Sequence, residues 1–214
     1  MTEMAEFSLH SFWQSGNSFK AAIMLELCGA DWEAKRIAFF GGETRSPEFR
    51  GTNVMGEAPV LVHHRADGDF TLSQSGAILT YLSRHFGKFG HETEAEEYEI
   101  LRWILFDNHK LTSYSATVRF MRTFRDKPDD DPVVAFMLSR AKDALKVLDT
   151  HMKDREWVAA GRPTIADLSL CAYQFWPRQI GYDPDEFPAV KAWLQRLQAL
   201  PGWKRAEDIM PDGM

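Results

Sequence analysis

Thiols are scarce in this chain. Cys28 and Cys171 are the only cysteines among 214 residues, too few for a disulfide framework or a four-thiolate metal site. No Cys-x-x-Cys pair occurs, so an intrinsic thioredoxin-type dithiol is excluded. Positive charge is also in deficit. The 25 Lys and Arg against 31 Asp and Glu leave a net charge of −6 and a pI near 5.7, unlike the basic face of a dedicated nucleic-acid binder. Long apolar runs are missing. The longest, Val133 to Leu138, falls far short of the roughly 20 residues that span a bilayer. The start, Met1 to Glu6, carries Glu3 and Glu6 and no basic residue, unlike a signal peptide. Thr2 excludes myristoylation, and the final Pro-Asp-Gly-Met matches no prenylation or retention signal. These absences predict a soluble cytoplasmic protein with neither nucleic acid nor membrane as partner.

What is present is enough to fold. Hydrophobic residues make up 44% of the chain and aromatic residues 13%, which suits one large domain or two small ones. Charge is shared evenly, with no acidic or basic tail. Phe7–Phe12 reads as a strand. A helix over Ser18–Cys28 follows, with Phe19, Ile23 and Leu27 on one face and Gly29 placed to end it. Glu33–Phe39 reads as a second strand, completing βαβ if the strands are parallel. Gly41–Ala58 is rich in breakers and reads as loop with one helical turn. Val60–Val62 and Asp69–Ser73 form a hairpin around Asp67-Gly68, and Gln74–Phe86 a helix. After Gly87 strand patterns cease. Helices are expected over Glu94–Phe124, over the stretch bearing Val134, Met137, Ala141, Leu145, Leu148 and Met152, from Thr164 to before Pro177, and over Pro188–Leu200. The fold class is therefore α+β, a βαβ–ββα domain at 1–87 and an all-α domain at 91–214.

Several motifs fail on inspection. Gly51–Gly56 has phosphate-loop spacing, but Glu57 stands where the lysine belongs. His63 and His64 with Asp67 and Asp69 suggest a metal, yet adjacent strand residues point to opposite faces, so no metal is expected. Cys28 and Cys171 read as buried core thiols. Thr164-x-x-Asp167 is a capping-box pattern with a structural role.

Four segments carry a resemblance. Leu9-His10-Ser11-Phe12-Trp13-Gln14-Ser15-Gly16-Asn17-Ser18-Phe19-Lys20 resembles the loop after the first strand in zeta-like and theta-like glutathione transferases. Glu48-Phe49 through Asn53-Val54-Met55-Gly56-Glu57-Ala58-Pro59-Val60-Leu61 resembles the family stretch ending in a cis-proline. Leu72-Ser73-Gln74-Ser75-Gly76-Ala77-Ile78 resembles its glutathione-binding turn, and Gly161-Arg162-Pro163-Thr164-Ile165-Ala166-Asp167 its helical capping motif. The four occur in family order across nearly the whole chain. The resemblance implies a thioredoxin-like N-terminal domain, glutathione as co-substrate and a homodimer acting in detoxification.

The resemblance also assigns roles. Ser15, at a helix start that favours anions, would donate to the glutathione sulfur, lower its pKa and make the thiolate the nucleophile. Asn17 is the second candidate, standing where some relatives keep a cysteine. Ala58 and Pro59 would pair with the cysteinyl backbone of glutathione, and Gln74 and Ser75 would hold its γ-glutamyl carboxylate. The side chains of Phe12, Trp13, Trp103, Phe106, Lys110 and Tyr114 are candidates for a pocket that takes a small apolar electrophile. The implied reaction is thiolate attack on that electrophile. Isomerisation or disulfide reduction at the same site, or ligand or partner binding without catalysis, are the alternatives.

Overall fold

The computed structural model describes residues 5–214. The start-of-chain readings at Met1–Met4 lie outside them. The chain divides into two compact units, one running to Lys88 and joined by Leu200–Met214, the other Phe89–Ala199.

The first unit is built on a four-stranded sheet in the order β2-β1-β3-β4. β1 (Phe7–Ser11) and β2 (Trp32–Arg36) are parallel, Leu9 opposite Ala34. The crossover between them is α1 (Gly16–Cys28). β3 (Val60–Arg65) runs antiparallel to β1, Leu9 opposite Leu61, and pairs with β4 (Gly68–Ser73) as a hairpin. Ala66 and Asp67 make the two-residue turn, closed by Gly68 at φ 119°. α3 (Ser75–Phe86) follows. α1 ends as expected on Gly29 at φ 71°, whose N–H returns to the carbonyl of Glu26.

Phe7, Leu9, Ile23, Leu61, Ile78 and Leu82 are wholly buried and form the core of this unit. The apolar alternation Phe7, Leu9 of β1, the continuous buried run Val60–Val62 of β3 and the apolar faces of α1 and α3 supply them. The 41–58 stretch is more regular than its breakers suggest. A short 3₁₀ turn, Glu43–Arg45, leads into α2 (Pro47–Thr52), where Ser46 accepts from Phe49 N at 3.1 Å and Pro47 occupies the first turn.

The second unit is helical, with α4 (Glu94–Phe106), α5 (Thr112–Phe124), α6 (Pro132–Met152), α7 (Ile165–Cys171), α8 (Pro177–Ile180) and α9 (Pro188–Gln198). The long helix expected over Glu94–Phe124 carries a π-helical turn at Asp107–Leu111. Asp107 is fully buried there. Its carboxylate accepts from Thr112 Oγ1 and Ser169 Oγ, both at 2.6 Å. Thr112 lies five residues on, which is the π pitch. Along α6, Val134, Ala141, Leu145, Leu148 and Met152 are buried as their 3-4 spacing requires, and Met137 is half-buried.

The capping motif forms at the start of α7. Asp167 Oδ2 accepts from Thr164 N and Oγ1, and Oδ1 accepts from Val158 N and Trp193 Nε1, all at 2.8–3.0 Å. One buried carboxylate thus ties a loop, a helix start and the core tryptophan of α9 together.

The last fifteen residues depart from the expected division at 91–214, because Leu200–Met214 belongs to the sheet unit. Trp203 meets Phe19 edge to face at 5.8 Å, and Lys204 Nζ pairs with Glu26 at 2.7 Å. α10 (Ala206–Ile209) lies against α1.

Candidate active site

The loop after β1 brings the chain to Ser15, the N-cap of α1. Its Oγ accepts from Ser18 N at 3.1 Å, satisfying one of the helix's orphan donors. The hydroxyl proton remains available to donate elsewhere. Ser15 is 7% exposed, so an acceptor reaching it would be largely out of water, where a hydrogen bond to charge is strongest.

Asn17 follows in the first turn of α1. Its Oδ1 accepts from Ser75 Oγ at 3.4 Å. That contact joins the start of α1 to the start of α3, so Ser15, Asn17 and Ser75 share one end of the sheet unit. Two helix N-termini meet there, and each favours negative charge.

Gln74 caps α3 with φ 70° and ψ 113°, an uncommon backbone for a residue with a Cβ. Such a conformation costs of order 1–3 kcal/mol and is characteristic of ligand clamps. The side chain is held on both sides, its Nε2 donating to Glu57 Oε2 at 3.0 Å and to Met55 Sδ at 3.0 Å. Glu57 therefore faces the Gln74 turn and is exposed. The Ala58–Pro59 peptide that follows it is cis.

The two cysteines contribute no nucleophile. Burial pushes the Cys28 thiol up to about 11, and Cys171 is wholly buried and donates to Leu168 O at 3.5 Å.

The pocket candidates separate. Phe12 is a core residue. It packs with Ile37, Phe49 and Val60 and stacks on Phe39 at 4.7 Å, so its ring is already spent on packing. Trp13 is half-buried. Trp103 is 4% exposed, lies against His151 and Phe106, and donates to Glu99 Oε1 at 2.8 Å. Phe106, Lys110 and Tyr114 are half-buried, and the Arg140 guanidinium lies 5.8 Å from the Tyr114 ring.

One support of the site lay beyond sequence reasoning. The tail clasps the Ser15 loop. Trp13 N donates to Pro211 O at 2.9 Å, Gln14 Nε2 to Asp212 Oδ1 at 2.7 Å, and Gly213 N to Gln14 Oε1 at 3.1 Å. Gly213 passes so close to Phe12 that a Cβ there would lie 2.7 Å from the ring, which is why glycine stands at 213. Contacts spanning about two hundred residues leave no local signal to read.

Residues 5–84 match the family "Glutathione S-transferase, N-terminal domain", and residues 112–201 match "Glutathione S-transferase, C-terminal domain". Glutathione S-transferase 2 of Schizosaccharomyces pombe is 27% identical, over 94% of each chain. Among solved structures, a possible glutathione S-transferase from Rhodopseudomonas palustris is 32% identical with a TM-score of 0.86, covering 94% of this chain and 90% of that one. A glutathione transferase family member from Pseudomonas fluorescens, solved with two glutathione molecules bound, is 29% identical with a TM-score of 0.79, covering 92% and 90%. With both domains matched in order and a relative above 30% identity over nearly its full length, the chain belongs to the glutathione S-transferase family.

Proposed function

We propose that the protein is a glutathione transferase. The observation that carries this reading is Ser15, a buried hydroxyl at a helix N-terminus whose oxygen already accepts from Ser18 N and whose proton is left to give. Donated to the glutathione sulfur, that proton stabilises thiolate over thiol. The thiol proton leaves to solvent, the sulfur attacks an electrophilic carbon, and on an aryl halide a C–S bond forms as the C–halogen bond breaks and halide departs. The protein supplies position and electrostatics, and the nucleophile comes with the co-substrate.

The remaining groups suit the rest of the tripeptide. Ser75 and the N-terminus of α3 offer donors to the γ-glutamyl carboxylate, and Ala58 lies where an extended backbone would pair beside β3. Glu57 takes a role here as partner of the γ-glutamyl ammonium, a charge its carboxylate matches. Asn17, its Oδ1 engaged by Ser75, keeps its amide N–H groups to assist Ser15. Of the pocket candidates, Trp13 in the first unit, and Phe106, Lys110 and Tyr114 in the second, each keep partial exposure. Family membership supports a cytoplasmic homodimer acting on small apolar electrophiles in detoxification. Among the described residues no helix is long and apolar enough to cross a membrane.

The test is calorimetric titration with glutathione followed by turnover of a generic aryl halide. Saturable glutathione binding with conjugate formation is expected. No binding refutes the proposal, and binding without turnover of electrophiles, disulfides or peroxides points to a ligand-binding role.

A further inference from the structure

Away from the Ser15 end, three side chains distant in sequence converge. Glu6 precedes β1, His63 lies on β3 and His85 is in the last turn of α3. Glu6 Oε1 is 3.4 Å from His63 Nε2 and 3.2 Å from His85 Nε2. One donor atom from each residue falls within 4.8 Å of the others. Zinc bonds to nitrogen and carboxylate oxygen at about 2.0–2.1 Å, so ligand atoms on a tetrahedron around it stand roughly 3.3–3.4 Å apart. The two measured edges match that figure.

We propose that Glu6, His63 and His85 form a binding site for a divalent transition-metal ion, with zinc the best fit to two imidazoles and one carboxylate and solvent as the fourth ligand. The surroundings orient the ligands. Tyr81 Oη lies 2.7 Å from His63 Nδ1. With Nδ1–H donating to it, Nε2 keeps its lone pair for the metal, which is how outer partners set the tautomer of ligating histidines. The two imidazoles stand nearly perpendicular, 83° between planes and 4.9 Å between centroids, and both rings contact Phe7. The Glu6 backbone is pinned by His64 N donating to Glu6 O at 2.9 Å. His85 and Glu6 are 30% and 41% exposed at the side chain, which leaves an entry path.

His64, the neighbour that makes the sequence look like a His-His chelate, turns away to Ser8 and Asp69. The ligands are recruited instead from a chain start, a strand and a helix end. A bound ion would tie β1, β3 and α3 together, away from the proposed glutathione site. The inference therefore stands independently of the transferase reading.

Titration of the untagged full chain with zinc chloride, followed by calorimetry, tests it. One ion per chain is expected. His85→Ala, at an exposed position, and Glu6→Gln, at a half-buried one, should each weaken binding by at least about the 100-fold that loss of an outer partner alone can cost, and Tyr81→Phe by about 10–100-fold. His91→Ala, an exposed histidine elsewhere, should leave it unchanged. Absence of stoichiometric binding to the parent chain overturns the proposal. So does binding that survives both His85→Ala and Glu6→Gln, or that His91→Ala weakens as much as they do.

Discussion

Replacing Ser15 separates two jobs that one oxygen performs. Ser15 Oγ accepts from Ser18 N at 3.1 Å to cap α1, and its proton is proposed to reach the glutathione sulfur. Ser15→Ala removes both. Ser15→Gly removes the proton donor but keeps most of the cap energy, since Gly at an N-cap costs only a few tenths of a kcal/mol against roughly 0.5–2 for Ala. A hydrogen bond to a charged acceptor contributes about 1.5–3 kcal/mol, and one pKa unit is about 1.4 kcal/mol. The bound thiol pKa should therefore rise by about 1–2 units in both variants. Below the parent's bound pKa, conjugation should slow by about 10–100-fold, and the profiles should converge at alkaline pH where every thiol is ionised. Thermal unfolding should distinguish them, with Ser15→Ala less stable by about 1 kcal/mol and Ser15→Gly near the parent. The assay is ultraviolet titration of the bound thiolate alongside the pH–rate profile. An unchanged titration in both variants refutes the assignment and moves it to Asn17, whose Asn17→Ala variant would then show the shift.

Two further substitutions address the helical unit. Asp167→Asn should destabilise the protein by about 2–4 kcal/mol in chemical unfolding, because an amide offers one oxygen to four donors and strands at least one buried N–H at about 1–3 kcal/mol; the folded variant should bind glutathione as the parent does, and a selective loss of binding would refute the purely structural role. Glu96 is held down to about 2, first by its Arg162 hydrogen bonds at 2.7 and 3.1 Å and then by the N–H of Glu92. A depressed folded pKa contributes stability above the ordinary Glu range that is lost as pH falls toward about 2. Arg162→Met should return Glu96 toward the usual carboxylate range in a carboxyl NMR titration and remove part of the acid-limb slope. An unshifted Glu96 would show that the Glu92 N–H alone holds it.

How much of this was legible depends on the range of the interaction. The βαβ–ββα order, the Gly29 terminator, the hairpin signalled by Asp67-Gly68, whose two turn residues prove to be Ala66 and Asp67, and the Thr164–Asp167 cap are readable because period, turn chemistry and capping act within a few residues. Ser15 and Ser75 were readable as helix starts, but not as neighbours. Their meeting through Asn17 depends on α1 and α3 packing on one sheet. Glu57 is visible in the sequence only as a residue that breaks a phosphate-loop pattern, and folding gives it Gln74 to hold. Phe12 misled for a related reason. An aromatic beside a candidate site loop suits either pocket or core, and what decides is whether other side chains cover it. The π turn at Asp107 shows the same limit inside one helix, since one added residue in a turn leaves the apolar pattern almost intact and is visible only in which hydroxyls the buried carboxylate reaches. The tail against the Ser15 loop and the Glu6–His63–His85 cluster are the extreme cases. The His63-His64 pair drew attention because adjacency is what a sequence displays. The strand pleat that sends those two rings apart is also what frees His63 to face His85. Ligand sets built across three elements carry no spacing signature, so a sequence can exclude a local chelate and remain silent about a distributed one.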